Sequence, residues 1–129
     1  YVNVFEPFAD PSTAKVEGNV GAPFVFRYAE WQDGAATVRA ELRGSATYVP
    51  ARDYHGIPLM LLLDRADPPA DASGVRVIAS DGYEASYELA DIDGREDILL
   101  TLEDEGLRLI APGYDGAFWV RRVTRIVIH

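Results

Sequence analysis

The order of apolar and polar positions divides the chain into many short strands and one helix. Thr37–Leu42 alternates, with Val38, Ala40 and Leu42 to one side and Arg39 and Glu41 to the other. That period of two is the mark of a half-buried strand. Val75–Ser80 repeats it, setting Val75, Val77 and Ala79 against Arg76 and Ile78. Tyr83–Leu89 follows across Asp81-Gly82, a pair that predicts a tight hairpin turn with Gly82 at positive φ. A second hairpin is expected from Ile98–Leu102 and Leu107–Ala111 around Glu103-Asp104-Glu105-Gly106. Lys15–Val20 and Phe24–Tyr28 flank the turn Gly21-Ala22-Pro23, and Val123–Ile128 is a β-branched final strand. Trp31-Gln32-Asp33-Gly34 reads as a turn. Arg43-Gly44 breaks a strand, and Ala46–Val49 is a candidate return.

Only GIPLMLLLDRA, residues 56–66, carries a helical pattern, predicting the main helix over about 57–66. Pro58 suits a first helical turn, where its missing N–H is not needed. Leu59, Leu62, Leu63 and Ala66 fall on one face at spacings of three and four, so these leucines are expected to be buried. Asp67-Pro68-Pro69 ends the helix. Residues 1–14, with two prolines and little periodicity, read as an N-terminal arm that packs Val4, Phe5 and Phe8 onto a single domain, 15–129. One helix among eight or nine strands predicts an α+β, mainly β fold.

A chain of 129 residues is one domain with room for a core. It has no cysteine, which excludes disulfides, thiolate metal sites and a cysteine nucleophile. Its net charge of −9 opposes nucleic acid or an anionic membrane as a partner. The charge is uneven. Residues 64–105 carry 13 acids and 3 bases, whereas 106–129 carry 4 bases and 1 acid. An anionic small molecule would therefore seek the C-terminal segment. No apolar run approaches the roughly 20 residues of a membrane span. A start at Tyr1 fits a removed leader, and the expected location is periplasmic or extracytoplasmic.

No P-loop, GxGxxG or GxSxG motif is present. The acidic stretch Asp91–Asp97 lacks the oxygen spacing of a calcium loop and reads as a solvated connection. His55, just before the expected helix, is either a pocket residue at a helix N-terminus or an ordinary loop histidine. Arg43 closes a strand at a position where loops carry sites and is either a site residue or a solvent-facing charge. Tyr114, Phe118 and Trp119 beside Arg121 and Arg122 form either a cradle for a planar anion or core aromatics with a salt-bridged rim.

Four segments in order resemble the oxidoreductase molybdopterin-binding domain, the sulfite-oxidase-type fold. They are Tyr54-His55-Gly56-Ile57-Pro58-Leu59 with Leu62-Leu63, Ser80-Asp81-Gly82-Tyr83, Leu107–Gly116, and Val120–Ile126. The resemblance covers about residues 37–129. It implies a mainly β domain with a β-grasp-like part and a basic cluster that holds the phosphate of a pterin cofactor. It matches Arg108 and Arg121 to basic positions near that cofactor.

The chain departs from the family where the metal is held. The family's ligating cysteine belongs at the end of the strand occupied by Glu41-Leu42-Arg43-Gly44, and its "H-G-x-P" segment is replaced by Glu103-Asp104-Glu105-Gly106. The expected function is a non-catalytic ligand- or partner-binding module that has lost the molybdenum thiolate. The alternative is a minimal molybdopterin-dependent oxidoreductase, or a subunit of one, that uses no protein thiolate. Candidate cofactor-binding residues are Arg43, His55, Arg108, Tyr114 and Arg121, with no catalytic residue or metal ligand. No cofactor is expected, molybdopterin being the one candidate, and the partner is an anionic small molecule or another protein subunit.

Overall fold

A computed structural model describes residues 11–44 and 48–129, and of Arg43 only the backbone. Nine strands form one mixed sheet. In chain order they are β1 (Thr13–Gly18), β2 (Phe24–Arg27), β3 (Ala36–Arg43), β4 (Tyr48–Pro58), β5 (Gly74–Ala79), β6 (Glu84–Glu88), β7 (Leu99–Glu103), β8 (Gly106–Ile110) and β9 (Val123–Ile128). Two short helices, α1 (Leu59–Ala66) and α2 (Leu89–Ile92), complete the regular elements with two 3-10 turns, Tyr28–Gly34 and Gly116–Phe118. This is the α+β, mainly β class that the residue pattern predicts.

The spatial order is β2-β1-β9-β8-β7-β4-β3, and β5 joins by pairing with both β6 and β9. All pairs are antiparallel except β1 with β9, which run parallel from Lys15↔Arg125 to Gly18↔Ile128. β9 is therefore the hub, flanked by β1 and β8 on one side and β5 on the other. Its β-branched run, Val123 to Ile128, suits a strand paired along both edges.

The larger core lies under α1, where Leu59, Leu62, Leu63 and Ala66 meet Phe26, Ile57, Val75, Val77, Leu100, Leu109 and Ile126. A smaller core of Ala40, Leu42, Tyr54, Leu99, Ile110, Ala111 and Trp119 packs separately. Neighbouring residues Leu99 and Leu100 thus serve different cores, as do Leu109 and Ile110. The mostly apolar sequences of β7 and β8, broken only by Thr101, by Arg108 and by Glu103 at the end of β7, follow from being covered on both faces.

Four expectations are corrected. The main helix starts at Leu59, because Ile57 and Pro58 pair with Leu100 and Leu99 as the end of β4. Pro58 caps the helix instead of occupying its first turn, and the Leu59 N–H donates to Ile98 O at 2.8 Å. The long strand β4 replaces the loop expected before the helix. The proposed arm ends earlier than residue 14, since Thr13 and Ala14 already pair with Arg27 and Phe26; Val4, Phe5, Phe8 and Ala46 lie outside the described residues. Finally, Gly82 has φ 91° as expected, but Asp81 does not share a positive φ. Either two-residue primed turn needs a positive φ at its first position, here Asp81, so the hairpin closes through a longer loop in which Gly82 N–H donates to Ala79 O and the Asp81 carboxylate accepts from Tyr83 N–H. No described helix is long and apolar enough to cross a membrane.

Candidate functional site

The C-terminal basic segment is organised around Trp119. Its indole is buried, and its Nε1 donates to Tyr114 O at 3.2 Å. The Tyr54 ring meets it edge-on, with centroids 5.8 Å apart. The 3-10 turn that delivers Trp119 is held by Asp115, whose carboxylate accepts from Ala117 N–H at 3.3 Å. On the other side, the Arg108 guanidinium lies 5.8 Å from the Trp119 centroid.

Arg108 projects from β8 opposite Thr101 of β7. Its side chain is only 14% exposed and stands 3.7 Å from the Glu103 carboxylate. Its Nε is buried without a hydrogen-bond partner. Such a donor is costly to leave unpaired and would gain from an added acceptor. Thr101, the one buried polar residue among those described, donates from Oγ1 to His55 O at 2.6 Å and so ties β7 to β4.

Arg121 is exposed and lines a shallow pocket of about 230 Å³ with Trp119, Arg122, Asp81 and Tyr83. Arg122 is held there at φ 55°, its guanidinium 3.1 Å from the Asp81 carboxylate. The Tyr83 hydroxyl donates to Ala117 O at 2.6 Å. Trp119 is thus common to the surroundings of Arg108 and Arg121.

Of the other candidates, Tyr114 adjoins Trp119, whose indole its backbone O accepts from, and His55 lies apart. Tyr114 is half-buried in an aromatic cluster, 5.5 Å from the Tyr87 ring and 5.3 Å from Phe118. The Tyr87 hydroxyl donates to Phe118 O, and burial, with Tyr114 and Tyr83 adding, pushes its ionisation far above the ordinary tyrosine range. His55 is an exposed residue of β4, paired with Thr37 of β3, its Nδ1 3.1 Å from Thr37 Oγ1. Strand alternation turns it away from the face that carries Tyr54. It does not stand at the N-terminus of α1, so an anion site of that kind is not formed. Arg43 ends β3 opposite Tyr48, and its side chain lies outside the described residues.

The acidic connection is tied down by Arg95. Its Nε lies 2.7 Å from Asp97 Oδ1, and its Nη2 donates to Pro112 O at 2.8 Å, fixing the Gly-rich loop that carries Tyr114. That hydrogen bond from Arg95 holds the Asp97 carboxyl below its usual range. Sequence reading missed the central place of Trp119 and the role of Thr101. The signal for both was the register of the β7–β8 hairpin, which sets Thr101 and Arg108 on one face beside Leu99 and Ile110.

Among the described residues no three His, Asp or Glu side chains gather as a metal site. The sequence offers no thiolate, and the described candidates point into three settings: Arg108 and Arg121 about Trp119, Tyr114 in its aromatic cluster, and His55 beside Thr37.

No family profile matches this chain. No curated protein matches it in sequence. Among solved structures, it is similar to the sulfane dehydrogenase SoxCD from Paracoccus pantotrophus, with a TM-score of 0.78 and 19% identity. The match covers 94% of this chain and 39% of that one, so the chain spans well under half of its structural neighbour. At that identity the likeness establishes a shared fold: this domain is built like one portion of a sulfane dehydrogenase chain.

Proposed function

We propose that this chain is a non-catalytic relative of the molybdopterin-binding domain, acting as a module that binds an anionic group beside Trp119. The observation that carries the reading is the buried, unpartnered Nε of Arg108, laid against Trp119 in a chain without a cysteine. A phosphate or carboxylate is the acceptor that a guanidinium meets best. Arg121, on the exposed side of the same tryptophan, supplies a second cation at the rim. Support for the fold half of the proposal comes from four ordered motifs and from the likeness to a sulfane dehydrogenase. An extracytoplasmic location and service to a larger oxidoreductase assembly belong to the same proposal.

The loss of redox chemistry rests on the donor set. The family mechanism needs a metal held by a dithiolene and a protein thiolate, and this sequence has no thiolate to give. An arginine at position 43, where that ligand is expected, is always protonated and cannot ligate.

The test is metal analysis of the chain purified from a host that makes the cofactor, joined to titration with inorganic phosphate followed by thermal denaturation. The expected result is no molybdenum and a phosphate-dependent stabilisation that Arg108→Gln abolishes. Stoichiometric molybdenum with sulfite- or sulfane-dependent electron transfer would overturn the proposal in favour of a minimal oxidoreductase.

A further inference from the structure

β3 is an outer strand of the sheet, and among the described residues it pairs only with β4. Its eight residues leave one row of backbone N–H and C=O groups with no strand partner among the described residues. Such an edge is a template for another strand, and proteins often blunt it with a bulge or with charge. The bulge in this ribbon is on the inner strand. Between Ala40↔Arg52 and Leu42↔Val49, one residue of β3, Glu41, faces two of β4, Pro50 and Ala51. The outer strand itself stays regular.

The charged side chains of β3 already meet β4 within the chain, Arg39 lying 3.4 Å from the Asp53 carboxylate and Glu41 accepting from the Tyr48 hydroxyl at 3.1 Å, and their order along the strand also suits a second copy. In an antiparallel pairing centred on Ala40, Arg39 of each copy faces Glu41 of the other, and Val38 faces Leu42. Both charged pairs attract, and directly opposite side chains lie on one face. On the other face, Val38, Ala40 and Leu42 belong to or pack against the smaller core, so the copies would meet apolar to apolar. Shifting the centre to Arg39 sets arginine against arginine, and shifting it to Glu41 sets glutamate against glutamate. A shift that pairs neighbouring positions turns the apolar face of one copy to the polar face of the other. One register is therefore favoured over those around it.

We infer that two copies of this chain associate through β3, antiparallel about Ala40, to make one sheet continuous across both. The pairing is isologous and closes on itself, so it stops at a dimer. A single edge covers less surface than the roughly 1,200–2,000 Å² of a permanent complex, so the dimer is weak and concentration-dependent. This inference is independent of what binds beside Trp119.

Sedimentation velocity over about 5 to 500 µM tests it. The unchanged chain should pass from monomer to dimer across that range. Arg39→Glu or Glu41→Arg alone replaces both attractive pairs with repulsive ones, and each should weaken dimerisation by about tenfold or more. An equimolar mixture of the two variants restores opposite charges at both pairs and should form a heterodimer. That result also shows that the single variants are folded. A chain that stays monomeric throughout, a dimer untouched by either reversal, or variants that fail to recombine would each overturn the inference. Association with a different protein and none with itself would do the same.

Discussion

Gly56 offers the sharpest test of how β4 is joined to the sheet. A Cβ built there would lie 2.5 Å from Leu100 O, 2.9 Å from its carbonyl carbon and 3.2 Å from Thr101 Cα. All three atoms belong to the backbone of β7, and uncrowded contacts between such atoms fall near ~3.5–4.0 Å. Alanine therefore cannot be accommodated by turning a side chain. β4 must back away from β7 by several tenths of an ångström or more, at the point where Ile57 pairs with Leu100 and Thr101 donates to His55 O. Overpacking of this kind costs about 1–3 kcal/mol. Weakening one or two hydrogen bonds adds about 0.5–1.5 kcal/mol each. Against this, alanine restricts the unfolded chain and returns about 0.4–1 kcal/mol. The balance for Gly56→Ala is a loss of about 2–4 kcal/mol. It should appear as a lowered urea midpoint with an unchanged slope, followed by far-ultraviolet dichroism and tryptophan fluorescence. A variant within about 0.5 kcal/mol of the parent would refute the close approach of β4 and β7.

Leu62→Ala should destabilise by about 2–5 kcal/mol in chemical denaturation, because Leu62 is fully buried under α1; a change below about 1 kcal/mol would deny that packing. Gly82→Val should lower stability by more than about 1 kcal/mol through backbone strain alone, since φ is 91° and nothing lies within 4 Å of the added carbon; thermal melting at equal protein concentration reads it. Tyr87 ionises far later in the folded chain than in the unfolded one, where its value is about 10. Its contribution is therefore complete below about pH 10 and is lost as the pH rises beyond, so the urea midpoint should fall there and Tyr87→Phe should flatten the slope.

Much of the fold was legible because short-range pattern and long-range packing agree. Leu59, Leu62, Leu63 and Ala66 sit at helical spacing and are all buried, and Val75, Val77 and Ala79 alternate into the core as their period requires. β4 was not legible, because Ala51-Arg52-Asp53-Tyr54-His55 shows no apolar alternation. Much of it is a two-stranded ribbon with β3, exposed on one face, and only its last residues reach β7. Pro58 misled for a related reason: a proline before an apolar run fits a helix start, and it equally fits the last residue of a strand that caps one. The charge pattern singled out the basic C-terminal segment, but charge alone did not say which arginines share a neighbour. Arg108 and Arg121 each lie near Trp119, a residue delivered by the turn at 116–118. His55 and Tyr114 looked similar in one dimension and are separated by strand alternation and aromatic packing.

The hub position of β9 bears on how the chain acquires its structure. Val123–Ile128 is the last of the nine strands in chain order, yet β1, the first of them, has it as a neighbour in parallel. Until β9 arrives, no strand joins the β1–β2 and β5–β6 hairpins to each other or to β7–β8. Contacts this distant in sequence close slowly, because most of the chain must be ordered in one step. The nascent domain therefore stays open to chaperones and proteases until this strand has been made. Substitutions in the final six-residue strand should accordingly reduce the yield of folded protein more than equal losses of buried surface in any single hairpin.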